Sequence, residues 1–153
     1  MLKLIGLLFL ILTIIDLGIK QYIEENFENG EERETRVSKL VLRKIYNKGF
    51  AFHTLDRYPW VIRCTSIILG VAITIYDVWL ALQKGRWLEK VGMAFLSAGA
   101  VSNIYDRLVR GKVIDYIGFK SKWKKLRTTT PNLADFYVAI GAIVVLIARA
   151  LKR

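Results

Sequence analysis

The chain has 153 residues, which is enough for one domain and too few for two sizeable ones. Hydrophobic residues make up 54% of the chain, and they collect in runs long enough to cross a bilayer, which argues against a soluble enzyme and against a disordered chain. The 24 Lys and Arg exceed the 13 Asp and Glu to give a net charge of +11, a balance typical of proteins that bind nucleic acid or an anionic membrane surface; the apolar runs favour the membrane.

Four apolar segments follow one another along the chain, at about 2–22, 59–82, 87–105 and 132–151. Each approaches the roughly 20 residues that a membrane-spanning helix needs. We therefore predict a membrane protein that is mainly α, with four transmembrane helices in a single domain over residues 1–153. Asp16 and Lys20 end the first apolar run where a cleavable signal peptide would have small residues, which favours a retained helix.

The connections between these segments differ in length and character. Residues 24–57 are highly charged, but 35–51 are richer in Val, Leu, Ile and Tyr, which predicts one or two short strands. This gives a small β-element between helices 1 and 2. Residues 83–86 form a tight turn, and 106–131 form a strongly basic connection.

Charge alone does not settle the orientation in the membrane. With four helices, both chain ends lie on one side, together with the tight turn, and this side carries seven Lys and Arg. The opposite side carries seven in 24–57 and eight in 106–131. Taken alone, the positive-inside rule would place the two long connections in the cytoplasm.

Several polar residues lie where a membrane makes them costly. Asp16 and Lys20 are four residues apart on one face of the first helix, so they can form a self-neutralising pair. Asn103 and the Asp106–Arg107 pair follow the small-residue end of the third segment. Helix packing explains the small residues but not these polar ones.

Two further carboxylates indicate a hydrolytic site. Asp115 lies among β-branched residues beyond the third segment, and Asp135 lies in the first turn of the fourth. Both are on the same side of the membrane, and the chain between them is long enough to fold back. Two close carboxylates share one proton, so that one can activate water while the other protonates a carbonyl.

Other interpretations of these acids stay open at this point. Asp135 alone can complement the dipole of its helix. In a small ion-coupled carrier, Asp16, Asp115 and Asp135 would form a proton relay, and a non-catalytic assembly protein is a third possibility. A single His and a single Cys cannot form a structural zinc site, and we expect neither metal nor cofactor.

Five short blocks stand in order across nearly the whole chain. They are Asp16-Leu17-Gly18-Ile19-Lys20, Asn47-Lys48-Gly49-Phe50-Ala51-Phe52, Ala98-Gly99-Ala100-Val101-Ser102-Asn103-Ile104-Tyr105-Asp106-Arg107, Gly111-Lys112-Val113-Ile114-Asp115-Tyr116 and Pro131-Asn132-Leu133-Ala134-Asp135. In this order they resemble the motifs of the lipoprotein signal peptidase family, also called signal peptidase II. The chain departs from the family pattern at Phe50, Ala98, Ser102, Tyr116 and Pro131, and none of these departures removes a carboxylate, an asparagine or the arginine.

The resemblance implies an aspartic endopeptidase whose catalytic pair is Asp115 and Asp135. Its substrate would be a diacylglyceryl-prolipoprotein, cut just before the lipid-modified cysteine. The remaining motif residues would bind the substrate or support the site. These are Asp16 and Lys20, which brace the first helix; Asn47, Asn103, Arg107 and Asn132, which line the site; Gly49, which permits a tight turn; and Asp106, a possible partner of Arg107.

The resemblance also implies a location. It places a multi-pass protein in the bacterial cytoplasmic (inner) membrane, with both termini cytoplasmic. The active site would lie near the outer leaflet and the small β-element on the extracytoplasmic side, and we expect a monomer. This orientation opposes the Lys and Arg count, but the cleavage point of an exported substrate must be reached from outside. We hypothesise that the basic residues 120–127 hold anionic lipid headgroups, so that membrane lipids rather than nucleic acid are the partners.

Overall fold

The computed structural model describes residues 1–47, 49 and 58–151. Within these residues it contains five helices and three strands. The helices are α1 (Leu2–Asn26), α2 (Pro59–Leu82), α3 (Trp87–Tyr105), α4 (Lys124–Thr128) and α5 (Leu133–Ala150), and the strands are β1 (Glu32–Glu34), β2 (Leu40–Asn47) and β3 (Val113–Phe119). A π-helical turn, Asp106–Arg110, continues α3.

Among the described residues, three helices are long and apolar enough to cross a membrane: α1, α2 and α5. The predicted third span, α3, is not among them. It is the central helix, packed against α1, α2 and α5, and it buries Glu89, Lys90, Ser97, Ser102 and Asn103. Because its neighbours cover it, α3 can carry polar residues that a lipid-facing helix could not.

The helix α1 extends one turn further than the sequence predicted, to Asn26. The added turn is held by a small hydrophobic core of Ile23, Phe27, Ile114 and Tyr116. This core fastens the sheet to the end of α1. The structure therefore brings together the end of α1 and the strand that carries Asp115.

In the described part of the chain, the sheet has three strands in the order β1-β2-β3, and each pairing is antiparallel. The prediction of one or two strands between the first two helices was incomplete, because β3 comes from the basic connection after α3. Its first four residues, Val113 to Tyr116, are all buried, so β3 lacks the apolar–polar alternation that reveals a half-exposed strand. Residues 50–57 of the first connection lie outside the described residues.

The pairing of β2 with β3 is irregular between Leu42 and Ile45. Leu42 pairs with Ile117 and Ile45 with Asp115, so two residues of β2 stand opposite one of β3. This is a β-bulge, a feature that re-aims side chains next to functional sites.

The closest helix packing joins α3 to α5 through glycines. A Cβ on Gly99 would lie 2.3 Å from the carbonyl oxygen of Ala134, and a Cβ on Gly141 would lie 2.5 Å from that of Gly92. Small residues of this kind let helix backbones approach closely in a membrane. The Gly99 contact lies one residue before Asp135, so this packing helps to set the position of that carboxylate.

We expect Gly141→Ala to destabilise the fold by about 1–3 kcal/mol, because the new methyl group meets backbone atoms that cannot yield easily. Thermal unfolding in detergent measures this loss. The matched control is Gly6→Ala in α1, where a Cβ would meet nothing within 4 Å. Equal unfolding temperatures for the two variants would show that α3 and α5 pack less tightly than described.

Candidate active site

A buried lysine on α1 joins α1 to α3. The Nζ atom of Lys20 lies 2.9 Å from Asp16 Oδ2 and 3.1 Å from Asp106 Oδ2, and all three side chains have no solvent exposure. The same Nζ donates to Ser102 Oγ at 3.1 Å and to Asn103 Oδ1 at 2.8 Å. A cation with two carboxylates and two neutral acceptors is an environment in which a buried charge is fully paired.

Asp16 also reaches β3 and α5. Its Oδ1 accepts from the Tyr116 hydroxyl at 2.7 Å and from the Ala134 backbone N–H at 3.2 Å, and its Oδ2 accepts from Ser102 Oγ at 2.5 Å. The Tyr116 hydroxyl accepts in turn from the Leu133 N–H. Asp16 thus connects α1, α3, β3 and the first turn of α5.

Asp106 closes the other end of this network. Its Oδ1 accepts from Arg110 at 2.6 Å, and its Oδ2 accepts from the backbone N–H of Ile114 at 3.2 Å. Asp106 is thus an ion-pair partner of Lys20 and Arg110. The hydrogen bond to Ile114 fixes the start of β3, one residue before Asp115.

Asp115 lies on β3 with 6% of its surface exposed. Side chains alternate along a strand, so Asp115 faces away from Ile114 and Tyr116, which pack in the core on α1. Its Oδ1 accepts from Asn132 Nδ2 at 2.7 Å, and its Oδ2 accepts from Asn47 Nδ2 at 3.2 Å. Burial, and then the charge of Asp135, raise the pKa of Asp115 to about 7.

Asp135 lies in the first turn of α5, within a capping box. The Asn132 side chain accepts from the Asp135 N–H, and Asp135 Oδ2 accepts from the Asn132 N–H at 3.1 Å. Asp135 Oδ1 accepts from Asn103 Nδ2 at 3.0 Å. A capping box satisfies helix N–H groups reciprocally, and here it also holds the Asp135 carboxylate in one orientation while leaving it exposed.

Two asparagines join the carboxylates to each other and to Lys20. Asn132 Nδ2 donates to Asp115 and, at 3.2 Å, to Asn103 Oδ1. Asn103 accepts from Lys20 and donates to Asp135. Because Lys20 can only donate, it requires the oxygen of Asn103, which leaves the amide N–H group for Asp135.

Both carboxylates line a cavity with a volume of about 760 Å³. Its polar lining includes Asn47, Asn103, Arg107, Asp115 and Asp135, together with Ser66 of α2 and residues of the connection before α5. Its apolar lining comes from α2, α3 and α5, and includes Leu69, Ile73, Leu96, Ile104 and Val138. The cavity thus combines a pair of acids with a surface suited to apolar chains.

Two other motif residues lie at the edge of this cavity. The Gly49 N–H donates to Asn47 Oδ1 at 3.0 Å, and Arg107 donates to the Gly49 carbonyl oxygen at 3.3 Å. These bonds orient the Asn47 amide toward Asp115. Lys48 and Phe50–Phe52 of the same motif lie outside the described residues.

The hydrogen bonds and ion pairs described above include all ten residues singled out in the sequence. They also include Ser102 and Tyr116. The sequence marks both only as departures from the family motifs, yet each gives Asp16 a hydroxyl hydrogen bond. A polar group at the buried end of an apolar segment was the signal available for Ser102. No sequence signal distinguished the Tyr116 hydroxyl, because tyrosine is also an ordinary strand residue.

The pKa of Asp115 predicts how stability depends on pH. The carboxyl binds its proton up to about pH 7 in the folded chain but only up to about pH 4 when unfolded. The folded state therefore binds more protons between these values, and stability falls as the pH rises through 7. We expect the unfolding temperature of the parent to fall from pH 5 to pH 8, and that of Asp115→Asn to fall much less.

At pH 8 the Asp115→Asn variant should therefore be at least as stable as the parent. Thermal unfolding in detergent across this pH range provides the measurement. Glu34→Gln, which changes an exposed carboxylate, is the control and should retain the parental slope. The same slope in Asp115→Asn would mean that Asp115 ionises at an ordinary pH.

Comparison with known proteins identifies relatives of this architecture. Residues 8–151 match the family model Peptidase_A8, described as signal peptidase (SPase) II. The lipoprotein signal peptidase of Sinorhizobium fredii is 33% identical over 97% of this chain and 87% of its own length. That of Cupriavidus pinatubonensis is 33% identical over 90% and 77%.

Solved structures agree with these sequence matches. A bacterial membrane enzyme determined by the in meso method at 2.3 Å superposes with a TM-score of 0.83 and 25% identity, over 98% of this chain and 88% of that one. A second, determined at 1.9 Å, has a TM-score of 0.79 and 24% identity and supports the fold alone. The family match covers nearly the whole chain and confirms the resemblance seen in the five motifs: the chain belongs to the signal peptidase II family of lipoprotein-processing membrane proteases.

Proposed function

We propose that this chain is an intramembrane aspartic endopeptidase that removes the signal peptide of diacylglyceryl-modified prolipoproteins. It cuts the peptide bond just before the lipid-modified cysteine. Asp115 and Asp135 form the catalytic pair, and the whole chain acts as one membrane-embedded domain. Neither a metal nor a cofactor takes part in the proposed reaction.

One observation carries this proposal. Two carboxylates from separate elements, β3 and α5, lie on one cavity wall, and Asn132 bonds to both of them. The environments of the two acids differ. Asp115 is buried and has a raised pKa, whereas Asp135 is exposed to the cavity and accepts two N–H groups. With such a difference the pair holds one proton, so that Asp115 acts as the acid and Asp135 as the base.

The proposed reaction begins with the proton on Asp115. The Asp135 carboxylate takes a proton from a water molecule as the water oxygen attacks the scissile carbonyl carbon. At the same time Asp115 gives its proton to the carbonyl oxygen. The resulting gem-diol collapses as Asp135 protonates the departing nitrogen and Asp115 recovers a proton from a gem-diol hydroxyl. The C–N bond breaks, and the pair again holds one proton.

The polar residues around the pair suit an extended peptide at the membrane surface. Backbone N–H and C=O groups in lipid need partners, and Asn47, Asn103 and Arg107 offer donors at the cavity wall. The apolar lining from α2 and α5 suits the diacyl chains and the hydrophobic signal peptide. Substrate binding would therefore use both kinds of surface at once.

We place α1, α2, α3 and α5 across the bacterial cytoplasmic membrane as four spans. The termini are then cytoplasmic, and the sheet and the acid pair lie near the outer leaflet. In this placement α3 crosses the bilayer within the shelter of the other three helices. The Lys and Arg count opposes this orientation, and we give more weight to the export of the substrate.

A proton-coupled carrier is the rival interpretation of the same acids. A relay would need Asp16 to exchange protons with Asp115 and Asp135, but Asp16 has no solvent exposure and is paired with Lys20. Its hydrogen bonds to Tyr116, Ser102 and the Ala134 N–H tie it to the fold. The arrangement thus favours hydrolysis over transport.

Purified protein in detergent tests this choice. We expect it to cleave a diacylglyceryl-prolipoprotein without any sealed bilayer, and to leave the same polypeptide without its lipid largely uncut. No cleavage of a substrate whose lipidation has been verified would contradict the proposal. Proton flux in sealed liposomes that requires Asp115 and Asp135 would instead support the carrier.

A further inference from the structure

The connection between β3 and α5 carries cations that the candidate site does not require. Residues 120–127, which we call the basic arm, hold five of them: Lys120, Lys122, Lys124, Lys125 and Arg127. No acid occurs anywhere between Asp115 and Asp135. Positive charges so close together repel one another, and an anionic partner would relieve that repulsion.

The protein itself neutralises only part of this charge. Lys120 forms an ion pair with Glu34. Among the described residues, no carboxylate lies within ion-pair distance of Lys122, Lys124 or Arg127, and all three side chains are exposed. These three cations are therefore available to an external anion.

Two apolar side chains stand among the cations. Trp123 is 79% exposed and Leu126 is 42% exposed. Trp123 is the N-cap residue of α4, and Leu126 lies within that helix. A tryptophan and a leucine surrounded by lysines are typical of a segment at the membrane–water interface.

The basic arm is fixed at the edge of the cavity. Arg43 on β2 donates to the Arg127 carbonyl oxygen at 3.2 Å, and the Lys120 N–H donates to the Lys39 carbonyl oxygen at 2.9 Å. Lys125 lines the cavity. The arm belongs to the connection between β3 and α5, and the membrane placement proposed above puts this connection at the bilayer surface.

We infer that the basic arm binds the headgroups of anionic phospholipids. Lys122, Lys124 and Arg127 contact lipid phosphates, while Trp123 and Leu126 enter the interface. The inference rests on the membrane placement proposed above but not on cleavage. Its consequence is that anionic lipid collects beside the opening of the cavity. Exposed apolar side chains among the cations favour a lipid surface over nucleic acid, which would leave Leu126 in water.

Fluorescence quenching at Trp123 tests this binding directly. The full chain is reconstituted in phosphatidylcholine with either brominated phosphatidylcholine or brominated phosphatidylglycerol. The quenching of Trp123 is obtained by subtracting the signal of Trp123→Phe from that of the parent, because the other tryptophans are the same in both chains. We expect the anionic lipid to be preferred at least about fivefold, since one basic residue at an anionic surface contributes roughly that factor.

The variant Lys122→Gln/Lys124→Gln/Arg127→Gln should lose most of this preference. Lys3→Gln/Arg36→Gln/Lys84→Gln makes the same change in net charge away from the arm and should keep it. No substrate is present in this experiment, so a failure of lipid binding can be distinguished from a failure of cleavage.

Four results would overturn the inference. The first is equal quenching by the two lipids, and the second is an unchanged preference in the arm variant. The third is displacement of the anionic lipid by inorganic phosphate beyond the effect of equal ionic strength. The fourth is quenching of Trp123 by aqueous iodide but by neither lipid. The third would indicate an anion site, and the fourth a hydrated surface. Oligonucleotide binding that depends on the same three cations, with no lipid preference, would indicate nucleic acid instead.

Discussion

Replacing either Asp115 or Asp135 with asparagine should lower kcat/KM for a diacylglyceryl-prolipoprotein by at least about 10³-fold, because each carboxyl is expected to transfer a proton in the reaction. The substitution preserves size and removes only the ability to gain or lose that proton. Since the two acids act as one unit, the double variant should be hardly less active than either single variant. Initial rates in detergent, with purified enzyme, provide the measurement.

The control for these variants is Asp77→Asn. Asp77 lies on α2 and accepts from Ser97 Oγ at 2.6 Å, outside the proposed catalytic pair, so most of the activity should remain. Stability at pH 8 separates catalysis from folding, because Asp115→Asn should then be at least as stable as the parent. Cleavage at close to the parental rate by either single variant would exclude the proposed pair.

Replacing Lys20 with methionine should cost about 3–5 kcal/mol of folding free energy, the usual consequence of removing one partner from a buried ion pair. Two carboxylates with no solvent exposure, Asp16 and Asp106, would lose their common cation. Asn103 would also lose the donor that orients its amide toward Asp135. We expect a lower unfolding temperature and, below that temperature, a lower kcat with little change in KM.

Two comparisons show whether this effect comes from the buried network. Lys112→Met removes a partly exposed lysine that lies 3.6 Å from Glu24, and it should change stability little. Lys20→Met/Asp16→Asn removes one unpaired carboxylate together with the cation, so it should be more stable than Lys20→Met alone. An unchanged unfolding temperature in Lys20→Met would contradict the described network.

The sequence predicted the helices better than the sheet. Long apolar runs reveal a helix locally, and so the positions of α2 and α5 were predicted within a residue or two. The strand β3 pairs with β2, although α2 and α3 lie between them in the sequence. No local sequence pattern predicts such a distant pairing. Its buried residues carry no alternation, which is the signal that strand prediction needs.

The candidate site was predicted as a set of residues but not as a network. Costly polar residues at the ends of apolar segments drew attention to Asp16, Lys20 and Asn103, and the five motifs supplied the remainder. Sequence spacing could not show that Asn132 caps α5 and also reaches Asp115. Contacts of this kind depend on how β3, α3 and α5 meet, which only the folded chain determines.

Mass spectrometry of both products in H₂¹⁸O, after cleavage of a diacylglyceryl-prolipoprotein in the presence of hydroxylamine, tests the central claim most directly. We expect a mature product that begins with the lipid-modified cysteine and a signal peptide that carries one ¹⁸O at its new carboxylate, because water attacks the scissile carbonyl without a covalent intermediate. A signal peptide that ends in a hydroxamate would show an acyl-enzyme, and a cut at any other bond would show a different specificity. The hydroxamate would contradict direct hydrolysis by Asp115 and Asp135, and the other cut would contradict the proposed cleavage before the lipid-modified cysteine.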